Sequence, residues 1–195
     1  MAHPDDAELW AGGTLARHTR AGGDVIIASV KHDSERMAEA DDGAQILGAD
    51  LYLLNDITTH AISTLLTEVR PDVVITHSSD DIHPDHRRCA DLLASVLPDV
   101  VIATGCPRRV YHCDSYNNLD RHARPLDLPT IIDVTKHWDT KIAALQAHAS
   151  QPITNHFRPM AETLARLHGQ RIGTTYAEAF RAVPVLGRLP ATAKL

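Results

Sequence analysis

The feature that most constrains the fold of this chain is an alternation of short β-branched runs with longer amphipathic stretches. Five runs are almost continuously apolar and predict strands: 24–30, 51–55, 72–77, 99–104 and 109–114. The stretches between them have helical periodicity: about 14–21, 34–48, 58–69 and 85–97. Strands that are apolar on both faces belong to a sheet that is covered on both sides, and repeated strand–helix units predict right-handed crossovers. We therefore predict an α/β fold with three layers, α/β/α, and a Rossmann-like, mostly parallel sheet.

The second half of the chain follows this alternation less clearly. The run 130–134 predicts a sixth strand, and a helix-like stretch of about 135–149 follows it. Two regions with several prolines and glycines, 115–129 and 150–175, predict irregular structure. The last pattern, TYAEAFRA at 175–182, is short and amphipathic. The chain has no internal repeat and no clear linker, so its 195 residues predict one domain.

The composition argues against several classes of function. A net charge of −6 gives no sign of a nucleic-acid partner, which would favour a basic surface. No apolar run approaches the roughly 20 residues of a membrane-spanning helix, and no signal peptide is visible. Cys89, Cys106 and Cys113 are odd in number and scattered, which favours a reducing cytoplasm over a disulfide framework. We expect one cytoplasmic domain over residues 1–195, and the sequence leaves its oligomeric state open.

Two short segments combine imidazole and carboxylate groups in the same pattern: AHPDD at 2–6 and IHPDH at 82–86. In each segment, proline restricts its own φ and biases the preceding residue toward extended backbone, which makes a stiff loop. The second segment follows the strand at 72–77, and open α/β sheets bind ligands beyond the carboxyl ends of their strands. Either segment alone is also a good helix N-terminus, because aspartate often caps helices. Both together favour a shared metal site.

The donor types in these segments are those of an open zinc site, which leaves room for water and substrate. The candidate ligands are two imidazole nitrogens and one carboxylate oxygen: His3, Asp6 and His86. A metal lowers the pKa of its bound water to ~7, and Asp5 would be free to accept the proton as general base. His83 would stand opposite, where it stabilises an oxyanion or protonates a leaving group. Asp85 would orient a ligand histidine from behind.

The segments AHPDDAELWAGGTLA and SSDDIHPDHR resemble the zinc-dependent N-acetylglucosaminyl deacetylase family, also called the GlcNAc-PI de-N-acetylase or LmbE-like family. KIAALQAHASQ at 141–151 and YAEAFRA at 176–182 are typical of the same family, so the resemblance runs nearly end to end. It implies hydrolysis of the N-acetyl amide of an amino sugar or glycoconjugate, which gives a free amine and acetate. By position it also implies one Zn2+ ion and the residue roles given above.

Four further residues match the substrate side of that family, and each has an alternative. Arg36 matches an arginine that contacts substrate hydroxyls, or it is an exposed helix residue; Asp56 matches a sugar-binding aspartate, or it caps the helix near residue 58. Trp10 replaces a glycine of the family, and either narrows the pocket mouth and stacks on a sugar or belongs to the core. His148 either approaches the site or packs inside a helix. The segment KHDSE at 31–35 departs from the usual Thr-x-Gly-Glu, which bears on the substrate contacts and not on the metal ligands.

The chain begins directly at the first motif, whereas in the family an apolar strand precedes it inside the sheet. We therefore expect that the first strand is missing, and that upstream sequence would encode a β-branched run of about five to eight residues. Three alternatives stay open: an amidase of the same fold that acts on a non-sugar acyl amide, an inactive truncated relative, and a nucleotide-binding module with Gly12 and Gly13 in a phosphate turn. No G-x-G-x-x-G follows a strand, which disfavours the last alternative.

Overall fold

A computed structural model describes residues 1–190, which form six α-helices and six strands. The helices are α1 (Asp6–Arg20), α2 (Ser34–Leu47), α3 (Thr59–Val69), α4 (Pro84–Thr104), α5 (Trp138–Gln146) and α6 (Arg158–Ile172). The strands are β1 (Ile26–Val30), β2 (Asp50–Leu54), β3 (Val73–Thr76), β4 (Arg109–Cys113), β5 (Thr130–Asp133) and β6 (Ala177–Val183). Short 3-10 turns lie at Tyr116–Asn118 and Thr135–His137, and a π-helical turn lies at Ile153–Phe157. Across residues 1–190, no helix has both the length and the hydropathy needed to cross a membrane.

The strands form two sheets. β1 and β2 pair in parallel, with Ile26 opposite Asp50 and Val30 opposite Leu54. The other sheet has the order β3-β4-β6-β5, in which β3 and β4 are parallel and β6 runs antiparallel to both of its neighbours. The predicted α/β fold is confirmed, and its parallel pairings lie in the first part of the chain, where the strand–helix alternation is clearest.

Helices cover the strands on both faces, as the predicted three layers require. On one face, α1 packs against α2 and α5, and α6 packs against β6; on the other face, α3 packs against α4. Leu9, Trp10 and Leu145 lie in the core of the first face, whereas Leu93 and Val110 lie in the core of the second. Full burial of a large apolar side chain contributes about 1.5–3 kcal/mol. These two cores hold the helices whose N-termini carry the predicted motifs.

The predicted strand at 99–104 is wrong, because α4 continues through Pro98 to Thr104. The buried residues of this region repeat at i, i+3, i+4 and i+7, the spacing of one helix face: Leu93, Val96, Leu97 and Val100. Packing of this face against α3 outweighs the β-branched composition of the segment. Gly105 follows the helix with a φ of 77°, a left-handed conformation that glycine adopts without strain.

Two regions beyond residue 150 also differ from the sequence predictions. The stretch 150–175, which was expected to be irregular, contains α6, and this helix buries Leu164 and His168. The TYAEAFRA pattern forms β6 in the interior of the four-stranded sheet, with residues 177–180 all buried. Successive strand residues point to opposite faces of a sheet, so burial of residues 177–180 means that both faces of β6 are covered there, which its amphipathic pattern does not predict. Its acidic residue, Glu178, therefore needs a buried partner.

Lys141 is that partner, and the ion pair joins α1 to α5 and β6. Nζ of Lys141 lies 2.6 Å from Oε1 of Glu178, and the two side chains are 3% and 4% exposed. Lys141 also donates to the carbonyl of Leu9, and Glu178 accepts the backbone N–H groups of Gly13 and Thr14. Removal of one partner leaves an uncompensated buried charge and costs about 3–5 kcal/mol. The segments 141–151 and 176–182, which extend the family resemblance along the chain, thus hold α1 in place through Lys141 and Glu178.

Gly12 and Gly13 lie inside α1 and allow its close packing. A Cβ on Gly13 would lie 2.7 Å from Cβ of Val134, and a Cβ on Gly12 would lie 3.1 Å from Cγ of Lys141. Larger residues at these two positions would push α1 away from Val134 and Lys141. A phosphate turn would need these glycines in a loop before a helix, so their position argues against the nucleotide-binding alternative.

The first two residues bridge the two sheets. The ammonium group of Met1 donates to the carbonyl of Ala28 in β1 at 2.6 Å, and the N–H of Ala2 donates to Nε2 of His77, just beyond β3, at 3.1 Å. In the part of the chain that the structure describes, β1 and β3 do not pair with each other. The expectation of a further strand before His3 stays a prediction, as does the assignment of residues 1–195 to a single domain.

Candidate active site

The two predicted motifs meet where α1 and α4 begin. Asp5 precedes α1, and His83 precedes α4, which has Pro84 at its start. Proline is tolerated there because the first N–H groups of a helix have no intrahelical acceptor. Nδ1 of His83 accepts the N–H of Asp85 at 3.2 Å and so caps α4. Two helix N-termini, each with a positive partial charge, therefore adjoin one cluster of carboxylates and imidazoles.

The three candidate metal ligands form a compact set. Nδ1 of His3 lies 3.2 Å from Oδ2 of Asp6 and 3.3 Å from Nε2 of His86. Nε2 of His86 lies 3.3 Å from Oδ1 of Asp6. Two donors on one tetrahedral zinc ion, with bonds of about 2.0–2.2 Å, are about 3.3–3.6 Å apart. The donor types and their separations therefore fit one divalent metal ion between His3, Asp6 and His86.

Two other histidines adjoin the same donors. His3, His83 and His86 form one potential metal-binding group, and Asp6, His77 and His86 form another, each with its donor atoms within 4.8 Å of one another. His77 is fully buried, stacks on His86 with ring centroids 3.8 Å apart, and lies 3.2 Å from Oδ2 of Asp6 through Nε2. The sequence analysis missed His77, although its place at the end of the DVVITH strand was an available signal.

Asp81, to which the sequence analysis assigned no role, holds the candidate ligand His86. Oδ2 of Asp81 lies 3.0 Å from Nδ1 of His86, and Oδ1 accepts the backbone N–H of His83 at 2.7 Å. Burial raises the pKa of Asp81, but the hydrogen bond and charge of His86, together with the backbone N–H of His83, outweigh burial and lower it, so the carboxylate is ionised. An ionised acceptor makes Nδ1 of His86 the donor, so Nε2 is the ring nitrogen on which a metal would replace a proton.

Asp85 lies at the outer edge of the cluster. Its side chain is 59% exposed, and Oδ2 lies 3.5 Å from Nε2 of His3. It therefore adjoins a candidate ligand histidine, as expected from the sequence, but the contact is longer and more exposed than the one between Asp81 and His86. Its predicted orienting role stays a prediction, now directed at His3.

The electrostatics of the cluster favour positive charge beside Asp6. Burial raises the pKa of Asp6, yet the surrounding histidines, with His77 foremost, hold it well below its usual value. Burial also lowers the pKa of His86, yet Asp6 and Asp81 outweigh burial and raise it to about 9. Carboxylates with almost no access to water need a compensating cation. A divalent metal ion held by these groups meets that requirement.

Asp5, the candidate base, lies beside the cluster and contacts Arg36. It is 6% exposed, and its Oδ1 accepts from Nη2 of Arg36 at 3.3 Å. Burial, and then the charge of Asp6, raise the pKa of Asp5. The Arg36 side chain is itself only 15% exposed, and its Nη1 lies 3.3 Å from Nε2 of His32. Of the two alternatives for Arg36, the structure favours a position at the site.

His83 presents a ring nitrogen next to the cluster. Because Nδ1 accepts the N–H of Asp85, the neutral ring carries its proton on Nε2. Burial, and then the charges of His86 and His3, lower the pKa of His83, so its neutral form prevails at pH 7. The side chain is partly exposed, which leaves the Nε2–H group available to a substrate oxygen. This arrangement suits a hydrogen-bond donor to a developing oxyanion.

Asp56 lies outside the cluster. Its side chain is exposed, and its ionic contact, at 3.8 Å, is with Arg88 of α4. The cap of α3 is Thr58, whose hydroxyl accepts the N–H of Ala61, so the helix-cap alternative for Asp56 is wrong. The sugar-binding assignment of Asp56 stays a prediction with no supporting contact.

Trp10 and His148 are inside the protein, which corrects their assignment to substrate binding. Trp10 is 3% exposed and belongs to the core between α1, α5 and α6, so it does not present a face to a sugar. His148 is fully buried, with Nε2 3.6 Å from Oε2 of the equally buried Glu8. For Trp10 the core alternative of the sequence analysis therefore applies. His148 is buried as well, but it lies just beyond the end of α5 and not inside a helix.

Tyr116, which the sequence analysis did not single out, lies against the cluster. Its ring plane is 14° from that of His86, with centroids 5.9 Å apart, and Trp10 meets it edge-on at 5.2 Å. Burial, and then the negative charges of Asp6 and Asp5, raise the pKa of Tyr116. The residue lies in the loop after β4, far in sequence from both motifs, so no local pattern indicates this contact.

Comparison with known sequences matches residues 1–97 to the family model described as PIG-L: GlcNAc-PI de-N-acetylase. The chain is 26% identical over 235 residues to 1D-myo-inositol 2-acetamido-2-deoxy-alpha-D-glucopyranoside deacetylase 1 of Saccharopolyspora erythraea, which covers 77% of this chain and 75% of that protein. It is 24% identical over 231 residues to diacetylchitobiose deacetylase of Thermococcus kodakarensis, which covers 93% and 80%.

Comparison with solved structures finds the same fold in enzymes of different reaction classes. N,N'-diacetylchitobiose deacetylase from Pyrococcus horikoshii aligns with a TM-score of 0.76 at 23% identity, over 94% of this chain and 82% of that chain. The 4-carboxy-2-hydroxymuconate hydratase from Pseudomonas putida KT2440 aligns with a TM-score of 0.80 at 20% identity, over 100% and 97%. A fold shared by a deacetylase and a hydratase does not decide the reaction, which must be argued from the site.

Proposed function

Because this chain belongs to the PIG-L (GlcNAc-PI de-N-acetylase) family, through the domain at residues 1–97, we propose that it hydrolyses the N-acetyl amide of an amino sugar or glycoconjugate. The products are acetate and a free amine. One observation carries the proposal: His3, Asp6 and His86 lie with their donor atoms 3.2–3.3 Å apart, directly beside Asp5. The named deacetylases among its relatives support the same reaction class.

The metal in this proposal is zinc, held by His3, Asp6 and His86. Zinc in such an open site supplies Lewis-acid polarisation of the amide carbonyl and lowers the pKa of bound water to ~7. Through its contact with Nδ1, Asp81 would fix the ring orientation and tautomer in which Nε2 of His86 binds the metal in place of a proton. Nitrogen and carboxylate donors accept several divalent metals, so zinc is to be tested against the other first-row ions.

The protein groups divide the proton transfers between them. Asp5 accepts a proton from the attacking water, whose oxygen forms a bond to the amide carbon. The Nε2–H of His83 donates a hydrogen bond to the carbonyl oxygen as negative charge develops there. When the C–N bond breaks, Asp5 delivers the proton that it took from the water to the departing nitrogen, and the amine leaves. The guanidinium of Arg36, which contacts Asp5 and His32, supplies hydrogen-bond donors for substrate hydroxyls.

A panel assay tests the proposal. Zinc-loaded protein is incubated with N-acetylglucosamine, diacetylchitobiose and a GlcNAc–inositol conjugate, and acetate and free amine are measured together. We expect equimolar acetate and amine from at least one of these sugars, and loss of both products when a chelator removes the metal. Absence of amine release from every sugar, with metal bound at one ion per chain, would contradict the proposal.

A second candidate is an amidase of the same fold that acts on a non-sugar acyl amide. It is favoured by one observation: of the four predicted substrate residues, the structure brings only Arg36 to the cluster. Adding N-acetylated amino acids to the panel separates the two functions, since a guanidinium pairs well with a carboxylate. An inactive relative is disfavoured because all five candidate metal and catalytic residues are present.

The cytoplasmic location also remains a proposal. Its support is that Cys89, Cys106 and Cys113 are free thiols, two of them buried. Unpaired cysteines suit a reducing compartment. The proposed partner is the small N-acylated substrate, with no nucleic acid and no membrane span in its recognition.

A further inference from the structure

We propose that Tyr116 and Phe157 form the acyl-binding wall of the site and determine which acyl chain length is removed. This inference rests on the proposed function and extends it to the apolar part of the substrate. The polar side of the site, at Arg36, would then receive the sugar hydroxyls.

The position of Tyr116 carries the first step. Its ring lies nearly parallel to that of His86, at a centroid distance of 5.9 Å. In amide hydrolysis the carbonyl carbon must come within reach of Asp5 and the donor cluster, and the first acyl carbon is only one bond further away. The acyl group must therefore enter the immediate surroundings of His86, where Tyr116 presents an aromatic ring.

The two sides of the cluster differ in polarity, which orients the substrate. Beside Asp5, the guanidinium of Arg36 and the imidazole of His32 provide hydrogen-bonding groups. Beside His86, the aromatic ring of Tyr116 provides apolar surface, and Phe157 extends that surface, with its ring centroid 6.3 Å from that of Tyr116. An N-acyl amino sugar has the same division, with hydroxyls on one side of the amide and hydrocarbon on the other. Apolar surface binds the hydrocarbon because both are thereby removed from water.

Tyr116 is held firmly enough to act as a wall. Trp10 supports it edge-on from the core, at 5.2 Å. The loop around it is fixed by Asp114, whose Oδ1 accepts the N–H of Ser115 and Nδ2 of Asn118. Oδ2 of Asp114 contacts Nε2 of His168 in α6 at 2.7 Å, in the interior. These contacts fix both ends of the turn that carries Tyr116.

The backbone of the turn that carries Tyr116 has an uncommon conformation. Asn117 and Asn118 have φ values of 54° and 58°, in the left-handed region that asparagine tolerates better than most residues. Two successive residues in this region persist only where the surroundings hold them, and such backbone is concentrated at functional sites. Phe157 ends the π-helical turn Ile153–Phe157, a second irregular element of the kind found at functional sites.

A series of N-acyl glucosamines tests the wall. The N-acetyl, N-butyryl and N-hexanoyl compounds are hydrolysed by zinc-loaded protein, and kcat/KM is measured from the glucosamine released. In wild type we expect kcat/KM to fall with chain length. In Tyr116→Ala we expect the hexanoyl-to-acetyl ratio of kcat/KM to rise about tenfold or more, because differences of a few methylene groups are worth at least this factor in a fitted pocket. Phe157→Ala, at a partly exposed position, should raise the ratio less and in the same direction.

Two variants separate the wall from other effects of substitution. Tyr116→Phe keeps the ring and should leave the ratio within about twofold of wild type, since a hydroxyl does not fill the acyl space. Tyr52→Ala removes a tyrosine that is 36% exposed on β2 and should also leave the ratio unchanged. The same ratio is read from Kd values in an Asp5→Asn background, so the wall is tested even without turnover.

The outcomes distinguish this inference from the proposed function. An unchanged acyl ratio in both Tyr116→Ala and Phe157→Ala, in turnover and in binding, overturns the wall. So does a change of preference among sugars at constant acyl ratio, which would assign the rings to the sugar. Failure of the wild type to release amine from any sugar contradicts the proposed function, whereas the Kd ratio would still support or overturn the wall.

Discussion

The donor cluster and the substrate side of this site are held in different ways. In the cluster, Asp6, His77 and His86 are at most 2% exposed, and each contacts at least one other member at 3.2–3.3 Å or through stacked rings. On the substrate side, the side chain of Asp56 is 64% exposed, and that of Arg36 is 15% exposed. The donor groups are thus preorganised by burial, and in the proposed function specificity depends on residues outside this cluster.

This difference predicts how the two regions respond to substitution. A buried donor cannot be replaced without leaving its neighbours uncompensated, so changes there should affect metal binding or turnover by large factors. A residue on the substrate side loses one contact among several, so changes there should affect KM by smaller factors. The variants described below test this gradient.

The largest effect is expected from His86→Ala. Loss of a ligand should abolish stoichiometric zinc binding, and turnover should fall about a thousandfold or more, since the metal contributes several kcal/mol of charge stabilisation. Zinc per chain is measured by elemental analysis beside acetate release. Asp91→Ala, at an exposed position of α4, is the matched control. Retention of one tightly bound zinc and full activity by His86→Ala would remove the cluster from the mechanism.

Asp5→Asn should separate metal binding from catalysis. The amide keeps the size of the side chain and its contact with Arg36 but cannot accept a proton. We expect kcat to fall about 10²–10⁴-fold, the usual contribution of a general base, with zinc content unchanged. Measured together, kcat and zinc content show whether adjacent aspartates have different roles. Equal turnover in wild type and variant would mean that another group accepts the proton.

Asp81→Asn and Asp85→Asn compare a buried support with an exposed one. Asp81 contacts Nδ1 of His86 at 3.0 Å, and loss of such a contact lowers metal affinity by about 10–100-fold. Asp85 is mostly exposed, so its variant should bind zinc almost as wild type does. Zinc affinity is measured by competition with a chromogenic chelator. The reverse ranking would restore Asp85 as the principal support of the ligands.

A smaller effect, on KM and not on metal binding, is expected from Arg36→Gln. A hydrogen bond to a charged group contributes about 1.5–3 kcal/mol, so loss of substrate contacts should raise KM by about tenfold or more, with zinc content unchanged. Asp56→Asn, which alters an exposed residue paired with Arg88, should change KM less. Steady-state kinetics on the best sugar of the panel checks both variants. A larger increase of KM in Asp56→Asn than in Arg36→Gln would show that the sugar is recognised away from the donor cluster.

Local patterns predicted much of the fold, and the failures have a common cause. The strands at 24–30, 72–77 and 109–114 contain β1, β3 and β4, because their apolar runs are bounded by turn signals. The stretch 99–104 has the same composition, yet it extends α4, since its apolar residues fit the helix face that packs on α3. Composition describes what a segment prefers, and tertiary packing decides between preferences of similar strength.

The same division applies to the site. The sequence by itself determined the donor types and the roles predicted for His3, Asp5, Asp6, His83 and His86, because each motif is a short loop before a helix whose geometry is local. Only the tertiary structure gives the distances of 3.3 Å between donor atoms of the two loops, the support of His86 by Asp81, and the position of Tyr116 beside His86. Contacts between distant segments depend on how whole helices pack, and no short pattern contains that information.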